Sequence, residues 1–132
     1  MPRALVIDDS RAMRSLLSRL LTGLGFDATG AEHGRAGLDV LESDGPFDVA
    51  LVDWNMPVMD GLTATREIRL HEAVMGAART PIVMLSANAL PEHIAAAEAA
   101  GADLHLAKPF DAAELLNLLV TLPRLAAKSI AA

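Results

Sequence analysis

The sequence predicts an α/β fold, with parallel strands in one doubly wound sheet and helices on both of its faces. Short apolar runs alternate with helical patterns five times along the chain, which is typical of strands joined by crossover helices. Three of these runs, at residues 4–7, 49–52 and 82–85, are continuously apolar, as in central strands that are covered on both faces. We therefore expect one sheet of five strands with five helices.

The two remaining strands and the first helix follow from weaker patterns. Residues 27–31 and 104–107 are short runs, or runs that alternate between polar and apolar side chains, as edge strands often do. In residues 11–24 the leucines recur every three or four positions, so one face of a helix is apolar there. Gly25 is well placed to end this helix, because glycine adopts the left-handed conformation that often follows a last turn.

Capping signals predict the boundaries of the other helices. Pro91 begins a helix, because the N–H that proline lacks has no partner in a first turn, and Gly101 ends that helix. Asp111 and Glu114 form a capping pair ahead of a leucine-rich helical face, which Pro123 stops. The two helices that complete the count are expected near residues 34–41 and 61–69.

Charge and composition argue against several classes of protein. Seventeen acidic and eleven basic residues give a net charge of −6, which repels a phosphate backbone and disfavours nucleic-acid binding. No apolar run approaches the roughly 20 residues that span a bilayer, and the run before Asp8 is too short for a signal peptide. The lack of cysteine fits a reducing compartment. We expect a soluble, cytoplasmic domain that binds neither nucleic acid nor membrane.

The domain is expected to occupy residues 1–122. A chain of 132 residues is long enough to bury one core without disulfides, and the sequence contains no repeat or long linker. The Ala-rich residues 123–132 are expected to form a C-terminal helix extension or a flexible tail, or to begin a linker.

Polar residues follow four of the predicted strands. Asp8 and Asp9 follow the first strand, Asp53 the third, Ser86 the fourth and Lys108 the fifth. Right-handed crossovers place the loops that follow parallel strands at one edge of the sheet, where ligands bind in such folds. We therefore expect three carboxylates, one hydroxyl and one ammonium to meet at this edge.

This set of groups is suited to phosphoryl transfer. Three carboxylates that lie together repel one another unless a cation separates them, and oxygen ligands without histidine or cysteine favour Mg²⁺. A carboxylate can serve as the nucleophile that becomes an acyl phosphate. Lys108 would neutralise charge on the phosphoryl group, and the Ser86 hydroxyl would donate to one of its oxygens.

Four motifs, each after its own strand, resemble those of response-regulator receiver domains, including the chemotaxis regulators. The similarity extends over nearly the whole chain and agrees in the spacing of all four motifs. They are Asp8-Asp9-Ser10, the run from Asp53 to Gly61, Ser86-Ala87 and Lys108-Pro109-Phe110. The resemblance implies a flavodoxin-like sheet with strand order 2-1-3-4-5.

The resemblance also implies a role for each residue of the site. Asp53 is the phospho-acceptor, and Asp8, Asp9, Asp53 and the backbone carbonyl of Asn55 hold Mg²⁺, for which Mn²⁺ can substitute. In addition, Ser86 is the switch hydroxyl. Lys108 contacts the phosphoryl group, and the bond from Lys108 to Pro109 is expected to be cis.

Three positions concern switching and phosphoryl lifetime. Receivers often carry Tyr or Phe where this chain has His105, so we expect activation to depend more on Ser86 and the loop at residues 87–90 than on a rotating ring. Asn55 and Asn88 lie two residues past Asp53 and Ser86, where receivers tune acyl-phosphate hydrolysis by admitting water. We expect a phosphoryl lifetime of minutes or less.

The resemblance implies partners rather than enzyme activity. A histidine kinase or a histidine phosphotransfer protein would donate the phosphoryl group, and a downstream protein would bind the last two helices and the last strand. The chain would assist its own phosphorylation and dephosphorylation without being an enzyme. The segments at residues 86–93 and 106–109 resemble receivers of hybrid histidine kinases, so the chain is either free-standing or part of a longer regulator.

Other functions and simpler explanations of these residues fit the sequence less well. A haloacid-dehalogenase-type phosphatase needs a second Asp where this chain has Asn55, and a flavodoxin-like carrier would place Asp8 and Asp9 against the flavin phosphate. A receiver-like module that is never phosphorylated would lack Asp53 or Lys108. Taken singly, Asp8 and Asp9 could cap a helix, and Lys108 could be a solvated charge. The remaining histidines have no metal-ligand spacing and are expected at the surface: His33, His71 and His93.

Overall fold

The computed structural model describes residues 1–56, 59–87 and 90–126. Within these ranges the chain forms five strands: β1 (Arg3–Ile7), β2 (Asp27–Ala31), β3 (Val49–Asp53), β4 (Ile82–Ser86) and β5 (Leu104–Ala107). The helices of the same ranges are α1 (Arg11–Gly23), α2 (Gly34–Asp44), α3 (Gly61–Met75), α4 (Pro91–Ala100), α5 (Ala112–Leu119) and a short α6 (Pro123–Ala126).

All strand pairs are parallel, and the sheet has the order β2-β1-β3-β4-β5, which confirms the predicted fold class and strand order. The strands are added to one side of β1 and then to the other, so the strand order reverses between β1 and β3. There the register pairs Ile7 with Val52. Because Asp8 and Asp53 are the residues next in line, the register alone places them side by side at the carboxyl edge.

The core consists of two apolar layers, one on each face of the sheet. Alternate residues of β1, such as Val6 and Leu5, enter opposite layers because successive side chains of a strand point to opposite faces. One layer contains Leu17 and Leu21 of α1 together with leucines of α5. The other contains Ile68 of α3 and further buried residues of α2 and α4. This burial holds the three central strands, and therefore their carboxyl ends, in place.

Two helices extend beyond the predicted boundaries. The helix α3 continues six residues past Arg69, to Met75, and α2 continues to Asp44. The last residues of α3 include Leu70, Val74 and Met75, which are all exposed, so burial does not require them to be helical. The helix continues because these residues tolerate helical geometry, and it ends at Gly76, which has a positive φ of 62°.

The segment after Leu122 is helical where the structure describes it. Pro123–Ala126 forms α6, and the side chain of Leu125 is buried in the layer that α1 and α5 share. Residues 127–132, the rest of the predicted extension or tail, lie outside the described residues. Among the described helices, none combines the length and the apolarity that crossing a bilayer requires.

Candidate phospho-acceptor site

Three carboxylates converge at the carboxyl edge of the sheet. Asp8 and Asp9 follow β1, and Asp53 is the last residue of β3. One carboxylate oxygen from each residue lies within 4.8 Å of the other two. The structure therefore brings together acidic residues that lie 44 or more positions apart in the sequence, as the strand-end argument predicts.

The turn that follows Asp53 is made possible by Gly61. The backbone N–H of Gly61 donates to the carbonyl oxygen of Trp54 at 2.9 Å, so the first residue of α3 is held against the end of β3. A Cβ at Gly61 would lie 2.6 Å from the carbonyl oxygen of Asp53, which is closer than packed atoms approach. Only glycine permits this contact without moving the acceptor.

Two of the three carboxylates are buried. Asp8 is 1% exposed and Asp53 is 5% exposed, whereas Asp9 is exposed. The Oδ1 atom of Asp8 accepts a hydrogen bond from the Ser10 N–H at 2.9 Å. The Oδ2 atom of Asp8 is buried and has no hydrogen-bond partner among the described residues. A carboxylate oxygen in the interior without a hydrogen bond is costly, which is typical of a position that binds a ligand.

Lys108 is the cation that faces these carboxylates. Its Nζ donates to Asp53 Oδ1 at 3.0 Å and lies 3.6 Å from Asp8 Oδ2. The Lys108 backbone N–H donates to the carbonyl oxygen of Ser86 at 2.8 Å, which fixes the start of this loop against β4. The bond between Lys108 and Pro109 is cis, as the resemblance implies. The two buried carboxylates, those of Asp8 and Asp53, therefore share one ammonium group.

The pKa of Asp53 is raised above its ordinary value. Burial is the largest cause, because a buried carboxylate loses the hydration that stabilises its charge, and the negative charge of Asp8 adds to the effect. The hydrogen bond from Lys108 and the backbone N–H of Asn55 oppose it by favouring the ionised form. The raised pKa therefore reflects mainly the burial of the carboxyl group, with a smaller contribution from the charge of Asp8.

The residues of the site fit a divalent cation. The donors are carboxylate oxygens, which are the ligands that Mg²⁺ and Mn²⁺ prefer, and one of them is a buried oxygen without a hydrogen-bond partner in the described part of the chain. A cation among Asp8, Asp9 and Asp53 would pair this oxygen and compensate for the excess charge. Asn55 lies two residues past Asp53 on the same loop, and its side chain is exposed.

Ser86 and His105, the two residues predicted to act in switching, are in direct contact. Ser86 ends β4, is 3% exposed, and its Oγ lies 2.9 Å from His105 Nε2. His105 is partly buried on β5, beside Met84 in the register. The sequence predicts roles for both residues but does not predict that one hydrogen bond joins them. Asn88 and part of the loop at residues 87–90 lie outside the described residues.

The other three histidines are each partly exposed, as expected of surface residues, but each also contacts a neighbouring residue. Through Nδ1, His33 accepts from the Ala36 N–H and caps α2, and His71 lies 3.6 Å from the Glu42 carboxylate. His93 packs its ring against Trp54, with 5.4 Å between the ring centroids. His93 therefore lies beside the site, which the search for metal-ligand spacing did not predict. Its position in the first turn of α4, directly after the Ser86 loop, could have indicated this.

Trp54 and His93 form part of the wall of a small cavity beside the carboxylates. The cavity has a volume of about 200 Å³ and is also lined by Asn55, Ser86 and Ala87. It therefore lies between the loop that follows β3 and the loop that follows β4. Both polar groups expected at the flanks of the acceptor, Asn55 and Ser86, border this space.

Comparison with known proteins shows the same architecture and the same family. The sequence profile of the response regulator receiver domain matches residues 4–120. The chain is 38% identical over 114 residues to the chemotaxis protein CheY-3 of Vibrio cholerae serotype O1, covering 86% of this chain and 85% of that protein. The solved structure of the Vibrio cholerae chemotaxis protein CheY4 superposes with a TM-score of 0.84 at 34% identity, covering 92% of this chain and 98% of that one.

One relative is much longer than this chain. The sensory/regulatory protein RpfC of Xanthomonas campestris pv. campestris is 41% identical over 120 residues, which are 91% of this chain but 16% of that protein. The chain thus spans about one sixth of the length of RpfC and most of the length of CheY-3.

Proposed function

We propose, from the premise that this chain belongs to the response regulator receiver domain family of two-component signalling, that Asp53 is its phospho-acceptor. In this proposal, a histidine kinase or a histidine phosphotransfer protein donates the phosphoryl group. The modified chain then changes conformation and acts on a downstream protein. The observation that supports this function is the group of three carboxylates, the two buried ones of which share the ammonium of Lys108.

The transfer step follows from the groups at the site. A carboxylate oxygen of Asp53 forms a bond to phosphorus as the bond from phosphorus to the donor nitrogen breaks, and that bonding pair stays on the donor imidazole. Loose phosphoryl transfer needs positioning and charge neutralisation rather than a strong base. Lys108 is 3.0 Å from the acceptor carboxylate, so it neutralises charge where the phosphoryl oxygens arrive.

The proposed metal site consists of Asp8, Asp9, Asp53 and the backbone carbonyl of Asn55. When bound, Mg²⁺, or Mn²⁺ in its place, supplies positive charge to the carboxylates and to the phosphoryl oxygens. Asp8 contributes the oxygen that lacks a hydrogen-bond partner in the described structure, and its other oxygen stays on the Ser10 N–H. The Ser10 contact fixes the carboxylate of Asp8 so that it need not reorient on binding.

The proposed switch begins at Ser86. Its hydroxyl has one proton, which it either donates to His105 Nε2 or offers to a phosphoryl oxygen. Where the Ser86 hydroxyl is the donor in this contact, phosphorylation requires that the hydrogen bond to His105 breaks or reverses its direction. Because His105 lies on β5, this change reaches the surface of α4, β5 and α5, where we place the downstream partner. Activation thus depends on Ser86 and the loop that follows it more than on an aromatic ring.

The context of the domain is also part of the proposal. We place the receiver unit at residues 1–122 in the cytoplasm, where it acts as a signalling domain that assists its own phosphorylation and dephosphorylation. Similarity to CheY-3 over most of its length supports a free-standing regulator, and similarity to part of RpfC supports a receiver within a longer protein. Asn55 and Asn88 remain proposed tuning positions for hydrolysis.

Labelling by a small phosphodonor such as acetyl phosphate in the presence of Mg²⁺ tests the acceptor. The Asp53→Asn variant keeps the shape of the side chain but removes the nucleophile, so labelling is expected to be lost completely. Asp60→Asn is the matched control, because Asp60 is exposed and caps α3 through the Thr63 N–H, a role that Asn also fills. Labelling that persists in Asp53→Asn, or disappears in Asp60→Asn, would refute the assignment.

A Lys108→Ala variant tests whether Lys108 is needed for the conformational change but not for metal binding. Mg²⁺ titration followed by the fluorescence of Trp54, which adjoins Asp53, is expected to show undiminished affinity, because the removed group is a competing cation. Beryllofluoride, a phosphoryl mimic, is expected to bind this variant without producing the conformational change seen in the unmodified chain. Loss of metal affinity in Lys108→Ala would contradict the proposed roles.

A further inference from the structure

Arg14 of α1 is a cation beside the acidic residues that the proposed phosphotransfer does not use. Its Nη1 atom donates to the backbone carbonyl oxygen of Asp8 at 2.8 Å. Among the described residues Arg14 forms no ion pair, although three carboxylates meet at the same edge of the sheet. Because this guanidinium bonds a carbonyl and not a carboxylate, it leaves the carboxylate oxygens available to another ligand.

The hydrogen bond from Arg14 acts on the peptide group that joins Asp8 to Asp9. This group is planar, so the carbonyl of Asp8 and the N–H of Asp9 turn together. A rotation of the plane changes ψ of Asp8 and φ of Asp9, and it therefore moves the two carboxylates relative to each other. By holding the carbonyl, Arg14 limits this rotation.

The other contacts of this segment leave Asp9 dependent on that peptide. The N–H of Asp8 donates to the carbonyl oxygen of Ala31 at 3.1 Å, and the carboxylate of Asp8 accepts from the Ser10 N–H at 2.9 Å. The side chain of Asp9 is exposed and has no hydrogen bond or ion pair among the described residues. The direction of the Asp9 carboxylate is therefore set by the backbone that carries it.

Packing holds the side chain of Arg14 in place. The residue is half-buried, and its stem lies over Gly30 of β2, where an added Cβ atom would be 3.5 Å from Arg14 Cδ. A stem packed in this way has few rotamers available, so the guanidinium is held at the carbonyl before any ligand binds. A hydrogen bond from a charged donor is also about twice as strong as one between neutral groups.

We propose that Arg14 is a positioning residue of the metal site: it fixes the peptide between Asp8 and Asp9 so that both carboxylates can bind one divalent cation. This inference rests on the proposed function, since it requires Asp8 and Asp9 to hold Mg²⁺. Groups that orient metal ligands commonly change metal affinity by about 10- to 100-fold. The positive charge of Arg14 acts in the opposite direction, because a cation near the site repels Mg²⁺.

Three variants separate the hydrogen bond of Arg14 from its charge. Arg14→Met keeps a stem over Gly30 but removes both the donor and the charge, and Arg14→Lys keeps a charged donor. Arg11→Ala is the matched control, because Arg11 is an exposed cation two residues from Asp9 whose side chain forms no hydrogen bond or ion pair among the described residues. Titration followed by Trp54 fluorescence measures Mg²⁺ affinity, and urea unfolding without metal checks that each variant is folded.

For Arg14→Met we expect Mg²⁺ to bind about tenfold more weakly, whereas the loss of charge alone would make it bind more tightly. A purely structural role would lower the free energy of unfolding but leave the affinity of the folded chain unchanged. Arg14→Lys should bind Mg²⁺ more tightly than Arg14→Met, because its ammonium can donate to the same carbonyl. Arg11→Ala should keep the affinity of the unmodified chain, since the charge that it removes is exposed and screened by salt.

The results distinguish this inference from the proposed metal site. If the unmodified chain binds Mg²⁺ but Arg14→Met binds it equally well or more tightly, the role of Arg14 is wrong and the metal site stands. An affinity of Arg14→Lys as low as that of Arg14→Met would also overturn the role, as would an equal loss in Arg11→Ala. If the unmodified chain does not bind Mg²⁺, the proposed metal site fails and this inference fails with it.

Discussion

The two edges of the sheet contain the same types of charged residue but arrange them differently. At the amino edge, Arg69 donates to Glu72 at 2.7 Å and to Asp103 at 2.8 Å, and Arg79 donates to Asp103 at 2.9 Å. The second oxygen of Glu72 accepts from the Thr80 N–H. At the carboxyl edge, Lys108 contacts the buried carboxylates of Asp8 and Asp53, and one oxygen of Asp8 has no hydrogen-bond partner in the described structure.

This difference separates groups that stabilise the fold from groups that leave room for a ligand. The amino-edge carboxylates have their partners within the chain, so their charges are satisfied when folding is complete. At the carboxyl edge Asp8 keeps an oxygen without a hydrogen-bond partner in the described structure, and burial together with the charge of Asp8 raises the pKa of Asp53. An edge whose ion pairs fix α3 to β4 and β5 therefore lies opposite the edge at which we propose that phosphotransfer takes place.

The largest expected effect comes from breaking the amino edge. An Arg69→Ala variant leaves the largely buried carboxylate of Glu72, and that of Asp103, without the guanidinium between them. The free energy of unfolding in urea should fall by about 3 kcal/mol, the usual cost of removing one partner from a buried ion pair. Mg²⁺ affinity should be unchanged, and a variant as stable as the unmodified chain would show that this network is dispensable.

Adding a metal should complete the carboxyl edge. Because the proposed Mg²⁺ site is assembled only in the folded chain, Mg²⁺ should raise the free energy of unfolding by about 2.7 kcal/mol at a concentration 100 times its dissociation constant. Thermal unfolding with and without Mg²⁺ measures this. The gain should disappear in Asp8→Asn and persist in Asp103→Asn. Equal gains in both variants would place the cation elsewhere.

Replacing a carboxylate by an amide should raise the stability of the fold at the carboxyl edge and lower it at the amino edge. Because the pKa of Asp53 is raised in the folded chain, its contribution favours folding in acid and is lost as pH rises through that pKa. Without metal, Asp53→Asn should therefore raise the unfolding temperature at neutral pH, and the gain should shrink in acid. Asp103→Asn should lower the free energy of unfolding by about 1 kcal/mol. Both carboxylate oxygens of Asp103 now accept hydrogen bonds, whereas the amide of Asn has only one acceptor oxygen.

The smallest effect is expected at an exposed ion pair. Arg35 and Asp39 lie one helical turn apart with side chains that are each 59% exposed, although their separation of 2.9 Å resembles the buried contacts. An Arg35→Ala variant should change the free energy of unfolding by no more than about 0.5 kcal/mol. Urea unfolding of this variant beside Arg69→Ala would show that burial, and not distance, decides the effect. A loss as large as that of Arg69→Ala would contradict this explanation.

Much of the fold could be predicted because it depends on local patterns. The predicted strands at residues 27–31 and 104–107 agree with β2 and β5 at both ends, and Pro91 and Gly101 bound α4 as expected. The end of α3 could not be predicted in this way, because Leu70, Val74 and Met75 are apolar but exposed. Their place in a helix depends on Gly76 rather than on burial.

The sequence by itself determined the order of strands and helices and the residue types at each strand end, because side-chain periodicity and turn chemistry act over a few neighbouring residues. Only the tertiary structure decided which charges pair. Arg69 contacts Asp103 across 34 positions, Ser86 contacts His105 across 19, and His93 of α4 contacts Trp54 of the loop after β3. Such contacts depend on how crossover helices pack against the sheet, and no pattern within a short segment encodes that packing.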